Sequence, residues 1–244
     1  MTELTIIIPA KNEAENIAAL VEEIHSFCDA RYDYEVIVID DGSTDATRRI
    51  LTERLAVDHR LRLLANDRSG GQSAAVHSGV LAARGAICCT LDGDGQNPPE
   101  NIPKLVDALL NDPQASLVAG QRVGRQDTWS KRYASKFANG LRARVLQDGT
   151  RDTGCGLKAF RREAFMALPF FNHMHRYLPA LFKRDGLKII LVDVTHRARL
   201  GGQSNYNNFQ RAMVGIVDLC GVAWLLKRKK TARPTEVSVA EETQ

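Results

Sequence analysis

The stretch Ala86–Glu100, AICCTLDGDGQNPPE, runs from an apolar segment through a short acidic loop to two prolines. Its first part, Ala86–Leu91, has the length and composition of a buried strand, and Pro99–Leu110 is predicted to be a helix that begins at a proline. Asp92 and Asp94 lie between these elements, separated by one glycine. The stretch therefore predicts a strand–loop–helix unit whose loop holds two carboxylates close together.

The same unit recurs along the first hundred residues. The other predicted strands are Leu4–Ile8, Glu35–Ile39 and Leu61–Leu64. Apolar residues at helical spacing predict helices at Ala14–Cys28, Asp45–Val57 and Gly71–Ala83. We expect Ser43 or Thr44 to cap the second of these helices. Strands that alternate with helices predict an α/β fold with a mostly parallel sheet flanked by helices.

Beyond Ala115 the alternation is looser. The predicted strands are Ser116–Ala119, Lys158–Phe160 and Lys188–Thr195. The predicted helices are Trp129–Leu146, Arg161–Leu168 and Phe209–Leu226. The length of 244 residues favours one α/β domain with an appendage.

The composition is that of a globular protein, with 44% hydrophobic and 25% charged residues, enough for a sizeable core. The net charge of +4 is small, but Lys and Arg cluster in the ranges 122–144, 197–211 and 227–233. Such clusters fit a phosphate-bearing or membrane-surface partner, or are solvated faces. Five scattered cysteines and an N-terminus without a signal-peptide pattern predict free thiols in the cytoplasm.

Three polar loops follow predicted strands of the first half. They are Pro9–Glu13, Asp40–Ser43 and Asp92–Asp94. Parallel strands end at the same edge of a sheet, where α/β proteins bind their ligands. We therefore expect these three loops to meet at one site.

The pair Asp92 and Asp94 suits a hard divalent cation with oxygen ligands. A calcium loop of the EF-hand type is excluded, because Asn97 and Pro103 stand where that loop requires Gly and Glu. From these residues alone, two alternatives to a metal site remain open: acid–base catalysis by the two carboxylates, and an ordinary solvated turn.

Five motifs resemble a known family. IPAKNEAENI, VIDDGSTDAT and LDGDGQNPPE are similar to three signatures of glycosyltransferase family 2, which has the GT-A fold. RDTGCGLKAFRREAF and HRARLGGQSNY resemble its dolichol-phosphate mannosyltransferase branch, which loads a sugar onto a polyisoprenyl phosphate. The resemblance extends from Leu4 to Tyr206.

The resemblance implies roles for individual residues. The nucleotide sugar is expected at Pro9, Lys11, Glu13, Asp40, Asp41, Asp92 and Ser204. Mg²⁺ or Mn²⁺ is expected at Asp92, Asp94 and Gln96, with Asp94 and Arg199 in catalytic roles. The acceptor phosphate is expected at Arg122, Arg132, Lys136, Asp152 and Thr153, with Gly156 in the same acceptor-side loop.

The implied activity is inverting, metal-dependent transfer of a sugar from a GDP- or UDP-linked donor to undecaprenyl or dolichyl phosphate, for a cell-envelope glycan or lipid. A phosphate acceptor is mostly dianionic at pH 7 and needs no general base. Transfer to a hydroxyl of diacylglycerol or a glycan, which needs a base, is one alternative; an inactive membrane scaffold is another. Lys11, Ala198 and Asn205 depart from the family pattern and leave the donor open.

The segment Ala212–Leu226 is apolar, but as a helix it is about 22 Å long against a hydrocarbon core of about 30 Å. We expect an interfacial helix, followed by the basic run Lys227–Lys230; an ordinary packing helix is the alternative. Its predicted apolar face comprises Met213, Ile216, Val217, Cys220 and Trp224.

These expectations divide the chain into a GT-A catalytic domain (1–210), an amphipathic helix with a basic end (211–230) and a disordered tail (231–244). We expect a protein peripherally associated with the inner face of the cell membrane. A homodimer or a membrane-embedded subunit is a further expected partner, and nucleic acid is not.

Overall fold

The computed structural model describes residues 2–123, 142–197, 208–229 and 232, with side chains from 214 onward in the third segment. This part of the chain folds into one sheet flanked by helices. The strands are β1 Leu4–Ala10, β2 Tyr34–Asp40, β3 Leu61–Ala65, β4 Ile87–Thr90, β5 Ala115–Arg122, β6 Lys158–Arg161 and β7 Lys188–Val194. The helices are α1 Ile17–Cys28, α2 Thr47–Leu55, α3 Gln72–Ala82, α4 Ile102–Leu110, α5 at 142–146, α6 Arg162–Met166, α7 Leu178–Arg184 and α8 Asn208–Leu226.

The seven strands lie in the order β3-β2-β1-β4-β6-β5-β7. Four strand pairings are parallel, and the two that β6 makes, with β4 and β5, are antiparallel. The predicted α/β class and mostly parallel sheet are therefore confirmed. Because β1 lies between β2 and β4, the loops that follow these three strands emerge side by side.

The core lies on both faces of this sheet. Helices α1, α2 and α4 cover one face, and α3, α6, α7 and α8 pack on the other. This double coverage explains the apolar runs of β1 and β2. Helix α3 approaches the sheet closely at Gly79, where a Cβ atom would lie 2.5 Å from Cγ2 of Ile7. Helix α3 therefore needs small residues on this face in order to pack against the sheet.

Helices α1, α2 and α4 begin two or three residues later than the sequence predicts, and α4 follows a 3₁₀ turn at Pro99–Asn101. Helix α1 begins at Ile17, because the turn before it is tied to the neighbouring loop: the Ala14 N–H donates to Asp45 Oδ2 at 3.2 Å. Helix α2 begins at Thr47, and its predicted capping by Ser43 or Thr44 is wrong. Both of those residues bond Asn12 instead, through Ser43 Oγ (3.0 Å) and the Thr44 N–H (2.8 Å).

Helix α8 confirms the predicted C-terminal helix. Val222 is 2% exposed and packs against the core, whereas Ile216, Val217 and Trp224 are 57%, 68% and 61% exposed. Across the described residues, every helix falls short of the length and apolar character needed to cross a membrane. Of the predicted helix Trp129–Leu146, only 142–146 lies within the described residues, and it is helical.

Candidate active site

The loops after β1, β2 and β4 meet at the carboxyl edge of the sheet. The N–H of Asp41 donates to the Ala10 carbonyl at 2.9 Å, joining the first two loops. A Cβ atom on Gly93 would lie 3.1 Å from the Pro9 carbonyl oxygen, so the third loop touches the first. The juxtaposition of the three predicted loops is therefore confirmed.

Asp41 organises the next loop along this edge. Its carboxylate accepts four hydrogen bonds, from Asn66 Nδ2 (2.7 Å), Ser69 Oγ (2.8 Å) and the N–H groups of Gly70 (2.8 Å) and Gly71 (2.9 Å). Burial alone would raise the pKa of Asp41, but these donors lower it below its usual value. The side chain therefore shapes a glycine-rich loop that opens helix α3.

Asp40 lies fully buried on the opposite face of the strand end. Its carboxylate accepts the Ser43 N–H at 2.9 Å and Arg48 Nε at 2.5 Å. Burial would raise the pKa of Asp40, but the bonds from Ser43 and Arg48 hold it below its usual value. The half-exposed guanidinium of Arg48, which the sequence interpretation did not single out, is thereby fixed beside the loop.

Glu13 and Lys11 tie the first loop to its neighbours. The Glu13 N–H donates to Thr47 Oγ1 at 2.9 Å, and its nearly buried carboxylate accepts Asn16 Nδ2 at 3.0 Å. Lys11 Nζ donates to Ser69 Oγ at 2.9 Å. Lys11 thus bridges the loop after β1 to the glycine-rich loop after β3.

Asp92, Asp94 and Gln96 lie together in one tight turn. Asp92 accepts Gln72 Nε2 at 2.7 Å and Asn97 Nδ2 at 3.1 Å, while Asp94 accepts the Gln96 N–H at 3.1 Å. Burial, and then the charge of Asp94, raise the pKa of Asp92 to about 6. The turn therefore holds two acidic side chains close together, and the charge of Asp94 disfavours the charged form of Asp92.

The side chains here that could hold a divalent cation all come from this one turn. Within the described residues no group of three or more His, Cys, Asp or Glu side chains is placed to hold a metal. Asp92 and Asp94 with the Gln96 amide are hard oxygen ligands, which fit Mg²⁺ or Mn²⁺.

Arg197 anchors the acidic turn from outside. Its N–H donates to the Gln96 carbonyl at 3.0 Å, and its Nε donates to the Gly95 carbonyl at 2.5 Å. The guanidinium also contacts Glu23 at 3.0 Å. Arg197, from the stretch HRARLGG, therefore lies against the acidic turn, a contact between distant segments that no local pattern signals.

The acceptor-side loop lies directly on Asp92. A Cβ atom on Gly156 would lie 2.2 Å from both carboxylate oxygens of Asp92. The Gly156 carbonyl accepts the hydroxyl of Thr90, two residues before Asp92, at 2.7 Å. Only glycine at 156 leaves the Asp92 carboxylate in its place.

Arg122 and Asp152 form a two-bond ion pair. Arg122 Nε and Nη2 donate to the two Asp152 oxygens at 2.5 and 2.9 Å, and both side chains are largely buried. Gln121 Oε1 accepts the Asp152 N–H at 3.0 Å, and the half-buried Thr153 follows. The pair holds the acceptor-side loop on β5.

Lys158 lies in the same region and was not predicted as a site residue. Lys158 is 4% exposed on β6, and its ammonium donates to the Cys155 carbonyl. Burial lowers the pKa of Lys158, and the charge of Asp92 acts in the opposite direction. A lysine inside an apolar strand, in GLKAF, is the signal that could have identified it. His175 shares a 2.7 Å hydrogen bond with Ser73 at the start of α3.

Four predicted site residues lie outside the described residues. They are Arg132, Lys136, Arg199 and Ser204. Their expected roles stay predictions.

The fold and this site define a class. A mostly parallel sheet with paired carboxylates after its central strands, faced by a glycine loop, is the arrangement of GT-A glycosyltransferases. Residues 5–168 match the sequence profile described as "Glycosyl transferase family 2". The chain belongs to this family.

Two curated relatives are similar over most of the chain. An undecaprenyl-phosphate 4-deoxy-4-formamido-L-arabinose transferase of Aeromonas hydrophila is 34% identical over 205 residues, 83% of this chain. A dodecaprenyl-phosphate galacturonate synthase of Rhizobium johnstonii is 34% identical over 239 residues, 95% of this chain. The chain covers 62% of the length of the first relative and 69% of the second.

Solved structures share the fold. Glucosyl-3-phosphoglycerate synthase from Mycobacterium tuberculosis, in complex with UDP, superposes with a TM-score of 0.73 at 22% identity. The alignment covers 94% of this chain and 82% of that one. Another structure of that enzyme contains Mn²⁺ and UDP, with a TM-score of 0.70 at 22% identity over 90% of this chain and 80% of that one.

Proposed function

We propose that this chain transfers a sugar from a nucleotide-diphosphate sugar to the phosphate of a polyisoprenyl phosphate, with inversion. The observation that carries the proposal is the contact of Gly156 with Asp92, which joins the acceptor-side loop to the metal turn. Both curated relatives have names that refer to a polyprenyl phosphate, which supports the same acceptor class.

The donor side is the edge formed by the loops after β1, β2 and β3. Asp41 holds the glycine-rich loop, whose Ser69 is bonded by Lys11, and Asp40 fixes Arg48. We assign the nucleotide to this edge. Arg199 and Ser204 would contact the donor phosphates, in line with the family motif.

A divalent ion fits the acidic turn. When bound by Asp92, Asp94 and Gln96, Mg²⁺ or Mn²⁺ would offset the negative charge that develops on the leaving diphosphate. The Mycobacterium tuberculosis structures contain Mn²⁺ or Mg²⁺ together with UDP, which supports this choice of metals. Gln72 and Asn97 orient the Asp92 carboxylate through its two oxygens.

The acceptor phosphate would approach from the loop Asp152–Gly156. One of its oxygens forms a bond to the anomeric carbon as the bond to the nucleoside diphosphate breaks. The phosphate dianion supplies its own nucleophile, so its binding site needs cations rather than a base. Arg122 is held rigidly by Asp152, and Arg132 and Lys136 are the further cations that we assign to the acceptor.

A membrane surface would be met through helix α8. Its outward face presents Ile216, Val217 and Trp224, and the exposed cations of Lys227, Arg228 and Lys229 follow at its end. Apolar side chains beside a basic run fit the interface of an anionic leaflet, where each cation contributes about 1 kcal/mol. We therefore place the enzyme at the inner face of the cell membrane, where it would reach its lipid acceptor.

Purified protein, incubated with undecaprenyl phosphate in vesicles, Mg²⁺ or Mn²⁺ and a panel of UDP- and GDP-sugars, tests the proposal. Mass spectrometry should detect a lipid-phosphate-linked sugar with one donor. Asp94→Asn should lower metal-dependent turnover about a hundredfold or more, and the exposed Glu53→Gln serves as its control. Products only with diacylglycerol or a glycan would indicate a hydroxyl acceptor. If no product forms with any donor when Mn²⁺ is present, the result would indicate a scaffold.

A further inference from the structure

Arg197 holds the backbone of the acidic turn, Asp92–Gln96, at two successive peptide groups. Its main-chain N–H donates to the Gln96 carbonyl at 3.0 Å, and its guanidinium Nε donates to the Gly95 carbonyl at 2.5 Å. The Gln96 N–H donates to Asp94 Oδ1 at 3.1 Å. The peptide groups on either side of Gln96 are therefore fixed by Arg197, and one of them is also fixed by Asp94.

The turn needs such a restraint because of Gly95. This buried residue has a φ of +70°, in the left-handed region. Glycine adopts many other conformations about as readily, so the local sequence does not fix the direction of the peptide group that follows it. That direction decides where the Gln96 side chain lies relative to Asp94. The guanidinium of Arg197, which donates to the Gly95 carbonyl, supplies the restraint that glycine lacks.

Glu23 on helix α1 holds the guanidinium in turn. Arg197 Nη2 lies 3.0 and 3.2 Å from the two carboxylate oxygens of Glu23, and both side chains are about one-third exposed. The next residue on α1, Ile24, is fully buried in the core, which anchors the helix at this point. The Glu23 carboxylate also offsets the positive charge of Arg197, which would otherwise repel a cation in the turn.

We infer that Arg197, oriented by Glu23, is a positioning residue for the proposed metal site. The inference rests on the proposed function and adds two residues that act on Asp94 and Gln96 through the backbone of the turn. A guanidinium that acted only as a nearby charge would have the opposite effect, because its removal would strengthen the binding of a cation. The sign of the change in metal affinity therefore distinguishes the two roles.

Binding of Mn²⁺ in the presence of UDP, measured by electron paramagnetic resonance of the free ion, tests the inference. Arg197→Met removes the bond to the Gly95 carbonyl and the bridge to Glu23 but keeps the main-chain N–H. We expect Mn²⁺ affinity to fall about tenfold, as for other residues that orient metal ligands. Arg197→Lys should lose less, because its ammonium can still bond one of the two acceptors.

Hydrogen exchange of the metal-free protein gives a readout that is independent of catalysis. The amide of Gln96 should exchange faster in Arg197→Met, while the amides of the central strands stay unchanged. The same increase is expected in Glu23→Ala, which releases the guanidinium. Glu22→Ala is the matched control, because Glu22 lies beside Glu23 on α1 but pairs with Arg54 at 2.5 Å. If Arg197→Met does not fold, Arg197→Lys and Glu23→Ala provide the test.

A double variant establishes whether Glu23 acts through Arg197. Glu23→Ala should lower Mn²⁺ affinity several-fold in the natural chain and should have no further effect in Arg197→Met. An effect of equal size in both backgrounds would show that Glu23 acts by its charge alone and would overturn its assignment. Unchanged or tighter Mn²⁺ binding by Arg197→Met would overturn the role of Arg197. An equal loss of UDP affinity without Mn²⁺ would also overturn it, by showing general damage to the site.

The two levels of the proposal fail differently. If the natural chain binds UDP but no Mn²⁺, the proposed metal site fails and the positioning role fails with it. If the natural chain and Arg197→Met bind Mn²⁺ equally and the natural chain forms a lipid-linked sugar, the function stands and the role of Arg197 is wrong.

Discussion

Gly156 leaves no space for a side chain above the Asp92 carboxylate: a Cβ atom would lie 2.2 Å from both of its oxygens. The two residues belong to the acceptor-side loop and the metal turn, which are 64 positions apart in the sequence. Through this contact, the backbone of the proposed acceptor site forms one side of the proposed metal site.

Gly156→Ala should therefore impair the metal turn while the fold persists. The added methyl group would push the Asp92 carboxylate from its place, and we expect Mn²⁺ affinity in the presence of UDP to fall about ten- to a hundredfold. Electron paramagnetic resonance of free Mn²⁺ measures this directly. Gly221→Ala is the control, because nothing lies within 4 Å of a Cβ atom there. Unchanged Mn²⁺ affinity in Gly156→Ala would contradict the role assigned to this contact.

Asp41→Ala should loosen the glycine-rich loop. It leaves the N–H groups of Gly70 and Gly71 without their acceptor, and we expect a loss of about 2–4 kcal/mol in the free energy of unfolding. Trypsin should then cut faster after Arg68, and UDP should bind at least about tenfold more weakly. The exposed Asp67, replaced by Ala in the same loop, provides the comparison. Equal cleavage rates in the two variants would refute this account of Asp41.

Glu35→Gln should lower stability in a pH-dependent way. Glu35 is almost buried on β2 and accepts bonds from the Arg84 N–H and Thr5 Oγ1 and an ion pair from Arg62. Burial would raise its pKa, but these donors hold it below the ordinary value of 4.5. The stabilisation is thus fully present above pH 4.5 and is lost as the pH falls through the lower folded-state pKa.

Urea denaturation measures this effect. We expect Glu35→Gln to be about 2 kcal/mol less stable than the natural chain at pH 7, with the difference shrinking below pH 4.5. Glu53→Gln removes an exposed carboxylate of the same kind and should change little at either pH. A difference that stayed constant from pH 7 to pH 3 would show that the charge of Glu35 is not responsible.

The outward face of helix α8 should govern binding to membranes. Val217→Ser combined with Trp224→Ser removes apolar surface that is 68% and 61% exposed, so folding should be unaffected. We expect co-sedimentation with anionic vesicles to weaken about tenfold or more. Val57→Ser, at a valine that is 79% exposed elsewhere, is the matched control. Equal vesicle binding by all three proteins would remove α8 from the membrane interface.

One contact links α8 to the site. His173 Nδ1 lies 2.8 Å from Asp218 Oδ2, so the charged residue of this helix faces the protein. The same short segment carries His175, which bonds Ser73. The fold thus gives the one acidic residue of this otherwise apolar helix a partner on the protein side.

The sequence by itself determined the sheet and the identity of the three polar loops. Buried strands in a parallel sheet need continuous apolar runs, and LTIII, EVIVI and AICCTL are such runs, so their positions were predictable. The mostly parallel topology then required the loops that contain Asp41 and Asp92 to share an edge. The starts of α1 and α2 were less predictable, because bonds from Asn12 and Asp45 to distant segments set them.

Only the tertiary structure decided which groups touch. The placement of Gly156 on Asp92 and of Arg197 on the acidic turn depends on strand pairing between β4 and β6 and on loops far apart in the chain. Local sequence patterns do not predict such contacts, because they indicate which side of an element is buried and not which residues pack against it. The residue types therefore indicated the chemistry of this site, whereas long-range packing determined its geometry.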